Sequence, residues 1–235
     1  GEKLVLRILD KAETQLRLQQ LGMNSETLKK FESCLKTPNG IILVTGPTGS
    51  GKTTTLYAGL NILNDQTKNI LTVEDPIEYA IEGVTQTQVN TKVGMTFAKG
   101  LRAILRQDPD TIMLGEIRDL ETAEIAIQAS LTGHLVLSTM HTNNSVAAIT
   151  RMIDMGIESY LLASTLNAVL AQRLVRKLCS CKEDYLLDTT IDSLKTGTKL
   201  YKAVGCKNCN YSGYQGRIGI FELFLITEEI KEAIN

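Results

Sequence analysis

The sequence predicts an α/β fold in which helices cover both faces of a mostly parallel β-sheet. Short apolar segments of four to seven residues alternate with segments of helical periodicity over most of the chain. Continuous apolar strands of this kind are typical of parallel sheets with two buried faces. One of them, IILVT at residues 41–45, runs directly into a glycine-rich loop that opens a helix, a strand–loop–helix arrangement typical of α/β folds.

The elements follow in chain order. Residues 3–9 are apolar and β-rich and precede a polar stretch, so we expect residues 1–22 to be the end of a preceding domain and a linker. Three apolar residues between 28 and 35 recur at helical spacing. The further predicted elements are strands over 40–46, 69–75, 111–116 and 134–140, and helices over 51–63, 96–107, 122–133, 145–155 and 159–178. Together they predict a core domain over residues 23–178.

The alternation stops at Cys179. Polar, glycine-bearing segments follow around four of the five cysteines, which predicts a small cysteine-rich subdomain over residues 179–217. The final residues TEEIKEAIN are helix-like, so residues 218–235 are expected to begin a C-terminal helical segment. Because both ends fall inside predicted elements, we expect a piece of a longer cytoplasmic protein.

Composition narrows the class of protein. Hydrophobic residues make up 43% of the chain and charged residues 22%, which suits a globular protein with a substantial core. The 25 basic and 26 acidic residues give a formal net charge of -1, so whole-chain charge offers no argument for binding nucleic acid or acidic lipid. No apolar run approaches the roughly 18 residues of a membrane span. The first residues carry acidic side chains and lack a small-residue cleavage site, unlike a signal peptide.

The glycine-rich loop has the sequence GPTGSGKT, which fits the GxxxxGK[ST] pattern of a phosphate-binding loop, or P-loop. Its glycines let backbone N–H groups surround a phosphate, and the N-terminus of the next helix adds partial positive charge. Lys52 is expected to reach the β- and γ-phosphates of a nucleotide, and the Thr53 hydroxyl to bind Mg²⁺. The alternative is a structural glycine-rich turn. The residues expected to contact the nucleotide are Gly46, Pro47, Thr48, Gly49, Ser50, Gly51, Lys52, Thr53 and Thr54.

Glu116 stands at the end of a predicted buried strand, directly after Gly115. P-loop folds place an acidic residue at the tip of a strand next to the P-loop strand, where it faces Mg²⁺ and the attacking water. We interpret Glu116 as this residue. The alternative is an ordinary solvated acid at a strand end.

A second acidic cluster, VEDPIE, closes the strand predicted over residues 69–75. Pro76 restricts the preceding residue to an extended conformation, which fixes how the acids project. Glu74 and Glu78 could supply a general base or outer-shell metal ligands. Either could also belong to a plain turn.

Polar residues also mark the last predicted core strand. Ser138 and Thr139 lie near its end with His141 just beyond, where a sensor of the γ-phosphate would sit, whereas His134 lies at its start. Each histidine could equally be a packing residue.

Four motifs, in this order, carry a resemblance to a known family: GPTGSGKTTT, ILTVEDPIEY, DPDTIMLGEIRDLETAE and TGHLVLSTMHTNN. With LRAILRQDPD and GYQGRIGIFEL added, the chain resembles the type II secretion and type IV pilus assembly ATPases (the GspE/PilB group) over essentially its whole length. The resemblance implies a RecA-like P-loop core, a hexameric ring and ATP hydrolysis at the interfaces between subunits.

The resemblance also implies roles for individual residues. Glu116 and Glu74 match the catalytic carboxylates of the family, and His134 and His141 match its histidines. An arginine that reaches across an interface would neutralise charge on the γ-phosphate, although surface ion pairs are the alternative. The matching arginines are Arg7, Arg102, Arg106, Arg118, Arg151 and Arg217. Arg7 is favoured because it belongs to a domain expected to close over the ATP.

The cysteines form a C-x-C pair, Cys179 and Cys181, and a C-x-x-C pair, Cys206 and Cys209. Four thiolates would make a closed tetrahedral Zn²⁺ site, and free buried thiols or a disulfide are the alternatives. Assembly members of the family usually carry C-x-x-C twice, so the first pair departs from that pattern by one residue. Cys34, alone on a predicted helix, is expected in the core.

The sequence therefore predicts a cytoplasmic motor ATPase that hydrolyses Mg-ATP to drive pseudopilus assembly in type II protein secretion. A type IV pilus or DNA-uptake motor is an alternative that the core motifs do not separate. A nucleotide-controlled scaffold is disfavoured by Lys52, Thr53 and Glu116, and a nucleic-acid translocase by the balanced charge. The resemblance implies ATP, Mg²⁺ and Zn²⁺ as cofactors. It also implies a homo-hexamer held at the inner membrane by platform proteins, without nucleic acid and without direct membrane insertion.

Overall fold

The computed structural model describes residues 2–4, 17–65 and 67–234. Arg7 and most of the strand predicted over residues 3–9 lie outside them. The chain divides into two compact units. We call residues 1–173 with 220–235 the core unit and residues 174–219 the cysteine unit.

Helices and strands alternate through the core unit, as the sequence predicts. The α-helices of the described residues are α1 (Ser25–Leu35), α2 (Lys52–Leu63), α3 (Phe97–Ile104), α4 (Leu120–Leu131), α5 (Ser145–Asp154), α6 (Ser159–Thr165) and α7 (Glu228–Ile234). The strands are β1 (Gly40–Thr45), β2 (Ile70–Glu74), β3 (Val84–Gln88), β4 (Thr111–Leu114), β5 (Leu135–Met140), β6 (Leu166–Leu178), β7 (Glu183–Leu186), β8 (Lys199–Lys202) and β9 (Tyr214–Leu225). None of these helices combines the length and the apolar composition needed to span a membrane.

Seven strands form one sheet in the order β3-β2-β4-β5-β1-β6-β9. β1 pairs in parallel with β5 and β6, β4 pairs in parallel with β2 and β5, and β2 pairs in parallel with β3. The predicted α/β fold with a mostly parallel sheet is confirmed. Because these strands share one direction, the residues that follow β1, β2, β4 and β5 meet at one edge of the sheet.

The two faces of the sheet bury different sets of helices. Ile41 and Leu43 pack with residues of α3, α4, α5 and α6, whereas Ile42 and Val44 pack with residues of α1 and α2. All four β1 side chains are fully buried, and burial of one such side chain contributes about 1.5–3 kcal/mol. Alternating side chains of a strand point to opposite faces, so β1 anchors both layers.

The helix predicted over residues 159–178 is wrong beyond Thr165. α6 ends there and β6 begins at the next residue, with Ile42 opposite Ala168 and Thr45 opposite Ala171 in parallel pairing with β1. A long apolar run rich in Leu and Ala fits a buried helix and a buried strand equally well by pattern. The open edge of β1 settles the choice because it offers partners for the backbone groups of this run.

Other segments also differ from expectation. Residues 214–225 form β9, so the helical segment expected from residue 218 is wrong up to Leu225, and α7 follows. β3 lies in a polar stretch whose sequence predicts neither a helix nor a strand. In the cysteine unit, β7 and β8 pair antiparallel where the sequence suggested loops.

Candidate nucleotide site and cysteine cluster

The loop between β1 and α2 has the backbone of a phosphate cradle. Gly46, Gly49 and Gly51 have φ values of +148°, +76° and +87°, a region that favours glycine. A side chain at Gly46 would place its Cβ 2.3 Å from the carbonyl oxygen of Gln172 on β6. The loop therefore needs glycine both for its shape and for its close approach to β6.

Lys52 begins α2 and folds back over the loop. Its Nζ donates to the carbonyl oxygens of Gly46 at 2.8 Å and of Pro47 at 3.1 Å. Burial lowers the pKa of Lys52, and the nearby Glu116 carboxylate opposes that shift. The ammonium group and the N–H groups of the first helical turn, which have no partner within the helix, together suit an anion. Thr53 lies exposed in the same turn.

The loop is tied to β6 by a residue that the sequence did not single out. Gln172 is 3% exposed, and its Nε2 donates to the Ser50 carbonyl oxygen at 2.6 Å. Gln172 looks in sequence like part of an apolar helix, so only the strand assignment of β6 places it beside the P-loop.

Glu116 lies at the edge of the sheet where β4 ends, two residues beyond Leu114. Both of its oxygens face the Arg118 guanidinium, with Nη2 2.5 Å from Oε1 and Nε 2.5 Å from Oε2. The His141 Nε2 is 3.6 Å from Oε2. The hydrogen bond to Glu116 raises the pKa of Arg118, and the charge of Asp75 adds to that effect. Three of the predicted catalytic residues thus lie together.

The neighbouring strand fixes the position of Glu116. On β5, Thr139 Oγ1 donates to the Gly115 carbonyl oxygen at 2.6 Å and Ser138 Oγ donates to that of Leu114 at 3.1 Å. The Ile117 N–H donates to the Thr139 carbonyl oxygen at 3.0 Å. These hydroxyls bond to the β4 backbone, so their observed role is to hold the end of β4.

Glu74, at the end of β2, is 2% exposed and has a separate set of partners. It accepts hydrogen bonds from the hydroxyls of Tyr57 and Thr72 and from Gln86 Nε2 at 3.0 Å. Three donors occupy lone pairs that a base or a metal ligand would use, so the geometry favours an indirect role. Glu78, four residues on, is half-buried.

The remaining candidates lie apart from this edge. His134 Nδ1 lies 2.8 Å from the Ala129 carbonyl oxygen, at the start of β5 and the end of α4, which is the opposite edge of the sheet. Arg102 pairs with Glu121 at 2.7 Å on the surface. Three other predicted arginines are also exposed: Arg106, Arg151 and Arg217.

The cysteine unit brings its four cysteines together. The Sγ atoms all lie within 4.8 Å of one another. Cys206 is 3.9 Å from Cys179 and 3.8 Å from Cys209, and Cys181 is 3.9 Å from Cys209. A disulfide needs about 2.05 Å, so these thiols are free.

This arrangement fits a tetrahedral zinc site. Zn–S bonds of about 2.3 Å place tetrahedral sulfurs about 3.8 Å apart, close to the observed separations. The N–H groups of Cys206 and Gly213 lie 3.1 and 3.3 Å from Cys209 Sγ. These hydrogen bonds lower the pKa of the Cys209 thiol to about 6, and the bond from Cys206 contributes most. A lowered pKa favours the thiolate, which is the form that binds a metal. Both cysteines of the shortened C-x-C pair, Cys179 and Cys181, belong to this cluster.

The chain is similar over its whole length to proteins of one known family. The sequence profile of the family described as "Type II/IV secretion system protein" matches residues 1–235. The Type II secretion system ATPase E of Vibrio cholerae serotype O1 is 60% identical over 241 aligned positions, and the Type II secretion system protein E of Pseudomonas aeruginosa is 60% identical over 242. Each alignment covers 100% of this chain and 48% of the relative. The chain thus spans about half the length of the curated relatives it matches.

Among solved structures, the pilus retraction motor PilT with bound ADP aligns with a TM-score of 0.70 and 33% identity. That alignment covers 93% of this chain and 55% of the PilT chain.

Proposed function

Because this chain belongs to the type II/IV secretion system protein family, we propose that its core unit hydrolyses Mg-ATP to drive type II protein secretion. One observation carries the proposal. The P-loop and Glu116 follow two strands that point to the same edge of one sheet, separated in that sheet only by β5. Glu116 is also close enough to Lys52 to influence its pKa. A phosphate held by the loop would therefore lie within reach of a buried carboxylate.

In the ground state, the loop and Lys52 bind the nucleotide. Backbone N–H groups around Gly49 and Gly51 donate to phosphate oxygens, and Lys52 exchanges its carbonyl partners for the β- and γ-phosphates. The Thr53 hydroxyl would hold Mg²⁺, which when bound neutralises charge on the phosphates. Pro47, Thr48, Ser50 and Thr54 complete the cradle.

The reaction is attack of water on the γ-phosphorus, and Glu116 orients that water. The P–O bond to the leaving ADP breaks as the new P–O bond forms, and the proton of the water passes to a nearby base. Arg118 pairs with the Glu116 carboxylate through two contacts of 2.5 Å, and His141 lies 3.6 Å away to relay or share the proton. Catalysis then rests on positioning and charge neutralisation.

Two further residues have proposed roles outside this inner set. Glu74 supports the acidic cluster indirectly, in line with its three donors. Arg7 would approach the phosphates from the preceding domain.

The names of the relatives support a biological setting for this activity. Two relatives at 60% identity are named for type II secretion, which favours pseudopilus assembly over a pilus or DNA-uptake motor. We place the full-length protein in a homo-hexameric ring in the cytoplasm, held at the inner membrane by platform proteins. In the cysteine unit, Cys179, Cys181, Cys206 and Cys209 would hold one structural Zn²⁺, supported by their sulfur separations.

The test compares Lys52→Ala with Glu116→Gln. We expect Lys52→Ala to abolish nucleotide binding, since it removes a charge that contacts ground-state phosphates. Glu116→Gln should bind nucleotide normally and lose phosphate release by about 100-fold or more. Glu124→Gln, an exposed acid on α4, is the matched control and should match the wild type in both assays. Normal turnover in Glu116→Gln would contradict the assigned role.

A further inference from the structure

The segment between β2 and β3, residues 75–83, carries Asp75 and Glu78, and we call it the acidic loop. Side chains of β3 hold it in place. Gln88 Oε1 accepts from the Ile77 N–H at 3.3 Å. Polar side chains therefore fix the backbone of a segment that forms no helix or strand of its own.

Gln86 on β3 makes the largest share of these contacts. Its Nε2 donates to Glu74 Oε1 at 3.0 Å and lies 3.2 Å from the Tyr79 carbonyl oxygen. Its Oε1 accepts from the Ile81 N–H at 2.8 Å. One amide thus joins the end of β2 to two backbone groups of the acidic loop.

Tyr57 reaches the same place from the other side. It lies on α2, five residues after Lys52, and is fully buried. Its hydroxyl donates to Glu74 Oε2 and lies 3.4 Å from the Glu78 N–H, which donates to it. Burial, and then the bonded Glu74, raises the pKa of Tyr57, so the hydroxyl stays protonated as a donor.

Glu74 is the acceptor that these two residues share, and Gln86 Nε2 also lies 3.3 Å from the Tyr57 hydroxyl. Its two oxygens face Tyr57 and Gln86, and Thr72 supplies a third donor. A fully buried carboxylate is stable only with such partners. Because α2 begins at the P-loop, the network links the phosphate-binding helix to the acidic loop.

The acidic loop in turn bears on the Glu116 site. Asp75, its first residue, raises the pKa of Arg118 through its charge, and Arg118 is the partner of Glu116. A displaced acidic loop would alter the charge around that ion pair and move Glu78 relative to the P-loop.

We infer that Tyr57 and Gln86 are positioning residues that act through Glu74 to fix the acidic loop relative to the P-loop. This inference rests on the proposed hydrolysis of ATP. It assigns the buried network to the chemical step, because replacing Tyr57 or Gln86 should leave the P-loop and Lys52 unchanged.

The experiment uses Tyr57→Phe and Gln86→Leu in the full-length protein, with kcat and KM for Mg-ATP measured for each. We expect kcat to fall roughly 10- to 100-fold, the range expected for a misplaced catalytic group, with KM and nucleotide affinity within about two-fold of wild type. Tyr79→Phe is the matched control. The Tyr79 ring lies edge-on to Tyr57 at 4.7 Å, and within the described residues its hydroxyl makes no hydrogen bond.

A double variant separates positioning from loss of stability. If both residues act through Glu74, Tyr57→Phe combined with Gln86→Leu should lower kcat hardly more than either alone. Purely multiplicative effects, or a kcat equal to that of Tyr79→Phe, would overturn the inference. Should Tyr57→Phe not fold, Gln86→Leu on the edge strand β3 decides the matter alone. Hydrolysis that survives Lys52→Ala would instead overturn the proposed function itself.

Discussion

The core unit and the cysteine unit bury their side chains in very different ways. In the core unit, two layers of apolar residues fill both faces of the sheet, and the four central residues of β1 are fully buried. In the cysteine unit, the buried side chains are few: Leu187 and the two cysteines Cys179 and Cys209. Tyr185 and Leu186 on β7 stay largely exposed.

The difference concerns the source of stability. A segment the length of the cysteine unit is near the size below which domains need metals, disulfides or partners to fold. Its one dense point is the thiol cluster, whose sulfur separations suit Zn²⁺. The core unit needs no such support because its sheet and helices remove a large apolar area from water. We therefore expect apolar burial to stabilise the core unit and metal binding to stabilise the cysteine unit.

The largest effect is expected from breaking the cluster. Cys209→Ser removes one of four ligands and the acceptor of two N–H bonds. Binding of a structural Zn²⁺ supplies on the order of 10 kcal/mol, so the cysteine unit should unfold and residues 182–205 become open to protease. Cys34→Ser, on α1 of the core unit, is the control and should retain one zinc per chain. A protease-resistant, zinc-loaded Cys209→Ser protein would contradict the metal's role.

A cavity in the core unit should destabilise that unit and leave the zinc content of the cysteine unit unchanged. Leu43→Ala on β1 creates a cavity at a fully buried position and should lower the free energy of unfolding of the core unit by about 2–5 kcal/mol. Urea unfolding measures that loss, and zinc content should stay at the wild-type value. Leu131→Ala, at a position 52% exposed on α4, should change stability by no more than about 0.5 kcal/mol. Equal effects of the two substitutions would argue against the burial described for β1.

The smallest effect comes from a helix cap. Asn24 Oδ1 accepts from the Thr27 N–H at 2.8 Å at the start of α1. Asn24→Ala should lower the stability of the core unit by about 1 kcal/mol, whereas Asn24→Gly should cost only a few tenths. Thermal unfolding followed at the core unit distinguishes the two. Loss of zinc in either variant would show that the units do not have separate sources of stability.

Much of the fold could be predicted because its elements have clear patterns. The strands at β1, β2, β4 and β5 are continuous apolar runs that end in glycine or polar residues. β6 could not be predicted, since its apolar run lacks a pattern that separates strand from helix, and only its pairing with β1 decides. β3 could not be predicted either, because its residues are mostly polar and pair with β2 at the edge of the sheet.

Those residues of the site that lie in short sequence motifs could be predicted. Lys52, Glu116 and the four cysteines stand in spacings that indicate phosphate and metal binding. Tyr57 and Gln86 have no such signal, because they lie 29 residues apart and meet only in the folded protein. There Gln86 Nε2 donates to the Tyr57 hydroxyl at 3.3 Å, and both residues donate to Glu74. Gln172 was hidden for the same reason, since its partner at the P-loop is 122 residues away.

The most direct test is hydrogen exchange of the wild-type protein with and without a zinc-selective chelator. It shows whether the two units are stabilised separately and whether nucleotide binding depends on the core unit alone. Mg-nucleotide affinity is measured on the same samples. We predict that the chelator removes protection from residues 174–219, while β1, β4 and β5 stay protected and nucleotide affinity changes by less than about two-fold. Loss of protection in both units together, with loss of nucleotide binding, would contradict the account.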